Sequence, residues 1–216
     1  MTHTIQYQLS GEFSPPKEIY LLSQSPRRRE LLDFLSPKIV GVDVDERAVE
    51  EASMEIFKEL PFLERAGKTC CDLALAKARA VEVEDPAVLR IAADTMVVFG
   101  ETIYNKPHDR EEAESMFRSY FGQTHQVVSG VCLKQGDSLD VYYTVADIRF
   151  VEYYPELEPV IQAYLTSESP MDKAGAYGFQ DLDPRFIDYV AGDVNTIIGL
   201  PVAETAKRIA AMGSVI

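Results

Sequence analysis

Two stretches of this sequence hold charged residues where backbone ends open to ligands. Within residues 91–133, Ile91-Ala92-Ala93 reads as a strand that ends in Asp94-Thr95, and Lys106-Pro107 lies beyond a turn. A strand-end carboxylate with a lysine just past a turn makes a reactive-site pair. Earlier, Ser23-Gln24-Ser25-Pro26 leads into Arg27-Arg28-Arg29 directly after an apolar run at 18–22. Ser25 suits a helix N-cap and Pro26 the first helical position, where a missing N–H costs nothing. Free backbone donors at such a terminus attract phosphate, and guanidinium forks match phosphate oxygens. Three arginines alone would read as a solvated helix face; strand, cap and arginine pair together favour phosphate. The combined set suits metal-assisted attack on phosphorus: a carboxylate handles water, and cations neutralise the departing anion.

Other chemistries find little support. No serine sits in a G-x-S-x-G elbow, and neither a Walker lysine loop nor G-x-G-x-x-G occurs. Cys70, Cys71 and Cys132 lack metal spacing and make no disulfide framework, which implies a reducing cytoplasm. His125, in an apolar strand, reads as a packed or hydrogen-bonded residue. A net charge of −14 argues against nucleic acid as a partner. No stretch approaches the ~20 apolar residues of a membrane span.

The elements that must position these groups follow from periodicity. Residues 1–17 show no clear period and read as a flexible extension with at most a short strand; the fold proper spans 18–216. Residues 39–45 read as a second strand. Residues 46–85 are mostly helical, with breaks expected near Pro61 and at Gly67, and their many acids default to a solvated face. Lys77 shares a helix face with Leu73, Ala76 and Ala80, and either snorkels to the rim or points into a site. Asp109 and Glu112 form a capping box for a helix with a core stripe of Ala113, Met116, Phe117, Tyr120 and Phe121. A hairpin turns at 134–137, a helix runs from Pro155 to Leu165, and residues 170–201 form a glycine-rich loop with short strands. The last helix opens at Pro201.

In order along the chain, Ser23-Gln24-Ser25-Pro26-Arg27-Arg28-Arg29-Glu30-Leu31-Leu32 and Ala93-Asp94-Thr95-Met96-Val97 with Lys106-Pro107 resemble motifs of the Maf family of nucleoside triphosphate pyrophosphatases. So do Gly122-Gln123-Thr124-His125-Gln126-Val127, Asp172-Lys173-Ala174-Gly175-Ala176-Tyr177-Gly178-Phe179-Gln180 and Gly199-Leu200-Pro201. The resemblance implies an elongated single-domain α/β fold with a mixed central sheet, two lobes and a cleft, often dimeric. It also implies hydrolysis of a nucleoside triphosphate to monophosphate and diphosphate with a divalent metal, Mg²⁺ or Mn²⁺. By matching position Asp94 would accept the proton and, with Glu46, hold the metal. Ser23, Arg28, Lys77 and Lys106 would line the phosphate region. Arg27, Thr95 and Gln180 match a branch that resembles dTTP/UTP pyrophosphatases. The segment Ala52–Cys71 is longer than the family pattern, so Asp43 or Asp45 stands as an alternative acid to Glu46. Alternative functions are a pyrophosphatase for modified or other nucleotides and a non-catalytic nucleotide-binding regulator of cell division.

Gln180 has a chemical rationale of its own. A uracil or thymine edge presents a ring N–H beside a carbonyl, which a carboxamide complements with its own acceptor and donor. A carboxylate suits a guanine edge with two donors instead. Gln180→Glu is therefore expected to lower dTTP and UTP turnover by about tenfold or more, the cost of a mispaired polar contact. Unchanged turnover in a diphosphate-release assay would remove Gln180 from base reading.

Overall fold

The computed structural model describes residues 3–213. In chain order these form β1 (His3–Ser10), β2 (Glu18–Leu22), α1 (Pro26–Leu31), β3 (Lys38–Val40), α2 (Glu46–Ile56), α3 (Phe62–Arg79), β4 (Val88–Phe99) and β5 (Thr102–Tyr104). There follow α4 (Arg110–Ser119), β6 (Thr124–Gln135), β7 (Ser138–Phe150), α5 (Glu158–Leu165), β8 (Ile187–Ala191), α6 (Val194–Ile198) and α7 (Val202–Ala211). The strands make one mixed sheet in the order β1-β7-β6-β4-β2-β3, with β5 added to β4 and β8 to β7. β2 pairs in parallel with β3 and β4; the long central pairs are antiparallel.

Alternation along β4 assigns its two faces. Ala92, Met96 and Val98 pack with Ala66, Cys70 and Ala74 of α3, whereas Leu89, Ile91 and Ala93 pack with Leu32, Ile209 and Met212 on the opposite face. The far ends of β4, β6 and β7 carry a second lobe. There Phe117 and Tyr120, Ile161 and Tyr164 of α5, and Phe186 enclose Val97, Val127, Ile148 and Phe150. The expected α/β fold with a mixed sheet is what forms.

Several boundaries differ from the reading of the sequence. Residues 3–10, expected as a flexible extension, pair along β7 from His3↔Val145 to Ser10↔Leu139. Ile5, Tyr7 and Leu9 do alternate with polar residues, but Ile5 and Leu9 are left exposed on the sheet edge, so the pattern carries little hydrophobic signal. The strand expected at 39–45 is shortened to 38–40, and Asp45 instead caps α2 by accepting from the Ala48 N–H at 3.0 Å. β4 does not end at Asp94 but runs on to Phe99, so the acid sits mid-strand. The glycine-rich 170–201 loop holds one strand, β8, the short helix α6 and a series of 3-10 turns.

No break occurs at Gly67; α3 is continuous through it. The glycine serves close approach rather than termination. A Cβ on Gly67 would enter the ring of Tyr143, 2.6 Å from Cδ2, and one on Gly130 of β6 would stand 2.6 Å from the Cys70 carbonyl oxygen. Bare backbone on helix and strand thus sets the height of α3 above the sheet. Gly67→Ala is expected to destabilise by about 1–3 kcal/mol through overpacking. For a chain of this size that is a fall of several degrees in Tm by thermal scanning; an unchanged Tm would mean that Tyr143 swings aside freely.

Candidate active site

A change of partner along β4 creates the site. Parallel pairing with β2 ends at Leu21↔Ile91, and antiparallel pairing with β5 starts at Val97↔Tyr104. Between them, residues 92–96 pair with β6 alone. β2 leaves the sheet there into the Ser23–Arg27 turn, and a cleft of about 490 Å³ opens along the uncovered edge. That is a size suited to a small-molecule ligand. Its walls include Ser23, Arg27, Arg28, Glu46, Lys77, Asp94, Thr95 and Lys106. With Lys173 and Asp172 added, five basic side chains face three acidic ones, a local positive excess in a chain of net charge −14.

On the α3 face of β4 the Asp94 carboxylate meets Lys77. Lys77 lies seven residues after Cys70, two helical turns along the buried stripe of Cys70 and Ala74, so it points at the sheet. The stripe predicted from Leu73, Ala76 and Ala80 is rotated, since Ala80 is exposed. Lys77 Nζ donates to Asp94 Oδ1 at 2.7 Å and lies 3.1 Å from Glu46 Oε1. The lysine is buried, which makes the pair of carboxylates its required compensation. Glu46, at the first turn of α2, is thus the acid that reaches the cleft, while Asp45 is spent on the cap.

Thr95 points to the other face. Arg28 donates from Nη2 to Thr95 Oγ1 at 3.0 Å and from Nε to the Gly199 carbonyl at 2.8 Å. Ser129, opposite Thr95 on β6, donates to the Thr196 carbonyl at 2.8 Å, so the Thr95 hydroxyl donates to Ser129 Oγ, also at 2.8 Å. The threonine hydroxyl is therefore committed to orienting Arg28. Burial pulls the Arg28 guanidinium below its ordinary pKa, opposed by the nearby Asp94 charge. Ser25 caps α1 by accepting from the Arg28 N–H at 3.5 Å, and Ser23 Oγ accepts from the Ser25 N–H at 3.1 Å. This fixes the turn that presents Arg27.

Gln180 is not on the cleft wall. It is exposed, immediately after the lining residues Gly178 and Phe179. The loop carrying it is pinned by Lys173, whose Nζ reaches the Ser169 carbonyl at 3.0 Å, Asp172 at 2.7 Å and Asp181 at 3.3 Å. Sequence reasoning also passed over Glu50. This half-buried acid lies one turn after Glu46; burial raises its pKa, against an Asn105 hydrogen bond that lowers it, and the Asp94 charge adds to the rise. Its i, i+4 spacing from Glu46 was the available signal.

The cysteines are no nucleophiles. All three are buried, and burial pushes their thiols up, Cys132 to about 12. No group of three or more His, Cys, Asp or Glu able to hold a metal forms among the described residues. Glu46 and Asp94 nevertheless give two hard oxygen donors facing one cleft. That fits an ion such as Mg²⁺, which takes one or two carboxylates and fills the rest of its shell with water and phosphate oxygens. No helix among the described residues is long and apolar enough to cross a membrane.

Comparison with known proteins gives the family. The profile of the family described as Maf-like protein matches residues 18–212. The chain belongs to the Maf family. It is 38% identical over 193 residues to a protein of Bacillus velezensis named dTTP/UTP pyrophosphatase, covering 89% of this chain and 95% of that one. A protein of the same name from Symbiobacterium thermophilum is 39% identical, covering 91% and 95%. One from Pyrococcus furiosus is 33% identical, covering 89% and 94%.

Behind the cleft wall, His125 Nε2 lies 2.7 Å from the hydroxyl of Tyr177, a lining residue, and its ring stacks on Tyr120. Nδ1 has no partner among the described residues. Burial holds the imidazole neutral, with its pKa down to about 3. The unfolded chain takes up this proton near pH 6.5. Between there and pH 3 the unfolded state binds the extra proton, so falling pH costs up to about 1.4 kcal/mol per unit. In urea titrations at pH 7, 6 and 5, wild type is expected to lose stability relative to His125→Phe as pH falls. A difference that does not change with pH would show that His125 is protonated alike in both states.

Proposed function

We propose that this protein hydrolyses dTTP and UTP to the nucleoside monophosphate and diphosphate. The observation that carries the reading is the Glu46–Lys77–Asp94 array, set on the exposed edge of β4 and facing the arginine turn. The names of the similar proteins supply the substrates. In this reading the triphosphate lies between Arg27, Arg28 and Lys106, which neutralise charge on the departing diphosphate. Lys77 occupies Asp94 Oδ1 and leaves Oδ2 for a water aimed at the α-phosphorus, whose proton Asp94 accepts. Glu46 and Asp94 would hold a Mg²⁺ or Mn²⁺ ion, which would supply positive charge against the phosphates. Thr95 acts by orienting Arg28, and Gln180, next to the cleft-lining Phe179, reads the base. By the same reading the enzyme works in the cytoplasm, as a homodimer, on free nucleotides.

Asp94→Asn preserves shape and removes the proton acceptor. Diphosphate release from dTTP is expected to fall by about 10³-fold or more, combining loss of a general base with loss of a metal ligand. Nucleotide binding by calorimetry should persist. Full activity in that variant would take Asp94 out of the mechanism. A panel of canonical and modified nucleotides with Mg²⁺ or Mn²⁺ tests the substrate assignment. No release from any of them would favour a binding-only regulator.

A further inference from the structure

Strand β1 lies outside the 18–212 stretch matched by the family profile, yet it is tied to the helix that brings Glu46 to the cleft. Its register slips between Gln6↔Tyr142 and Gln8↔Val141, so Tyr7 is the extra residue of a bulge. Bulges re-aim side chains. Here the phenol points over the sheet onto α3, where its hydroxyl donates to Asp72 Oδ1 at 2.6 Å. The other oxygen of that carboxylate accepts from Ser53 Oγ of α2 at 2.7 Å. Below this bridge the Tyr7 ring meets Phe57 edge-on, with centroids 6.4 Å apart.

Ser53 is seven residues, two helical turns, after Glu46 and on the same face of α2. It is buried, whereas Glu46 at the other end of that face stays more than half exposed and is held by Lys77. The cleft end of α2 is placed by that ion pair, by Val49 packed on the core and by the hydrogen bond between Asn105 and Glu50, and the far end is placed by Ser53. Burial and the Asp72 hydrogen bond both raise the Tyr7 phenol's pKa, which keeps it a donor. β1 is itself anchored independently, since Gln6 donates to Asp140 at 2.8 Å and accepts from Arg208 at 2.8 Å.

We propose that β1 is a strut for the catalytic helix: through Tyr7, Asp72 and Ser53 it fixes α2, and with it the position of Glu46 against Lys77. Tyr7, Asp72 and Ser53 are positioning residues that touch no substrate. The effect on catalysis rests on the assignment of Glu46 to the metal and phosphate region; the mechanical coupling does not.

Tyr7→Phe keeps the ring and deletes the hydrogen bond that orients the Asp72 carboxylate toward Ser53. In the full chain, free of metal and nucleotide, amide hydrogen exchange in 46–56 is expected to quicken about fivefold or more, with 62–79 unchanged, as when one charge-assisted hydrogen bond anchoring a locally opening segment is lost. Ser53→Ala should do the same, and the double variant should add little to either. With dTTP, the Mg²⁺ concentration giving half-maximal diphosphate release should rise severalfold in Tyr7→Phe, with kcat at saturating metal nearly unchanged. Leu9→Ala changes an exposed side chain of β1 and leaves the Tyr7–Asp72–Ser53 bridge and the Gln6 anchor intact, so it should alter neither quantity. Unchanged α2 exchange in Tyr7→Phe, or equal effects from Leu9→Ala, would overturn the strut. If wild type releases no diphosphate, the functional reading fails, and the exchange comparison still decides the strut.

Discussion

A strand can bond to one neighbour on each edge, and β4 divides one of its edges between two. β2 runs parallel to its first half and β5 antiparallel to its second, and no single strand can bridge that change of direction. The gap at 92–96 is therefore a consequence of topology. Backbone left unpaired within a sheet must meet water or ligand, so a polar opening in the middle of the molecule comes with the fold. Asp94 and Thr95 sit in it as neighbours on opposite faces, which lets one short stretch of backbone serve two purposes. One face supplies a carboxylate and the other holds an arginine.

What fills the opening is costly in isolation. Burying an ammonium such as that of Lys77 is repaid only when its donors are used, and removing one partner from such a group is more damaging than never having had it. Lys77 is consequently bound to both carboxylates. The height of α3 over the sheet, set by bare backbone at Gly130 against Cys70, brings its ammonium within reach of Asp94. Chemistry at Asp94 thus depends on a close backbone approach that contributes no charge of its own.

The sequence spoke most clearly where the physics is local. The Ser25 cap, Pro26 at the helix start, the Asp109 cap and the hairpin at 134–137 all depend on neighbours within a few residues, and all form as expected, although Glu112 reaches back to the His108 N–H rather than closing the box on Asp109. Asp94 was misplaced at a strand end because a charge between two apolar runs looks like a boundary. Only pairing with β6, some 35 residues on, shows that the strand continues. The direction of Lys77 was open for the same reason, since helical spacing names a face but not what lies against it. Gly67 was read as a break, whereas its meaning lay in Tyr143, far along the chain. Gln180 was chosen for base chemistry, and its exposed place beside Phe179 follows from a loop pinned by Lys173 that no periodicity describes.

The bond from Arg28 to the Gly199 carbonyl spans 171 residues. During synthesis the chain emerges from its N-terminus. The arginine turn and the acid of β4 therefore exist for most of translation without the carbonyl that squares the guanidinium. Contacts of such separation are also late to form in a free chain, because their loops must close first. A nascent or truncated chain can carry most of the cleft's charges and still lack a finished nucleotide site. Competence is thus deferred to the last stage of folding, and a chain stopped short of Gly199 is left without it.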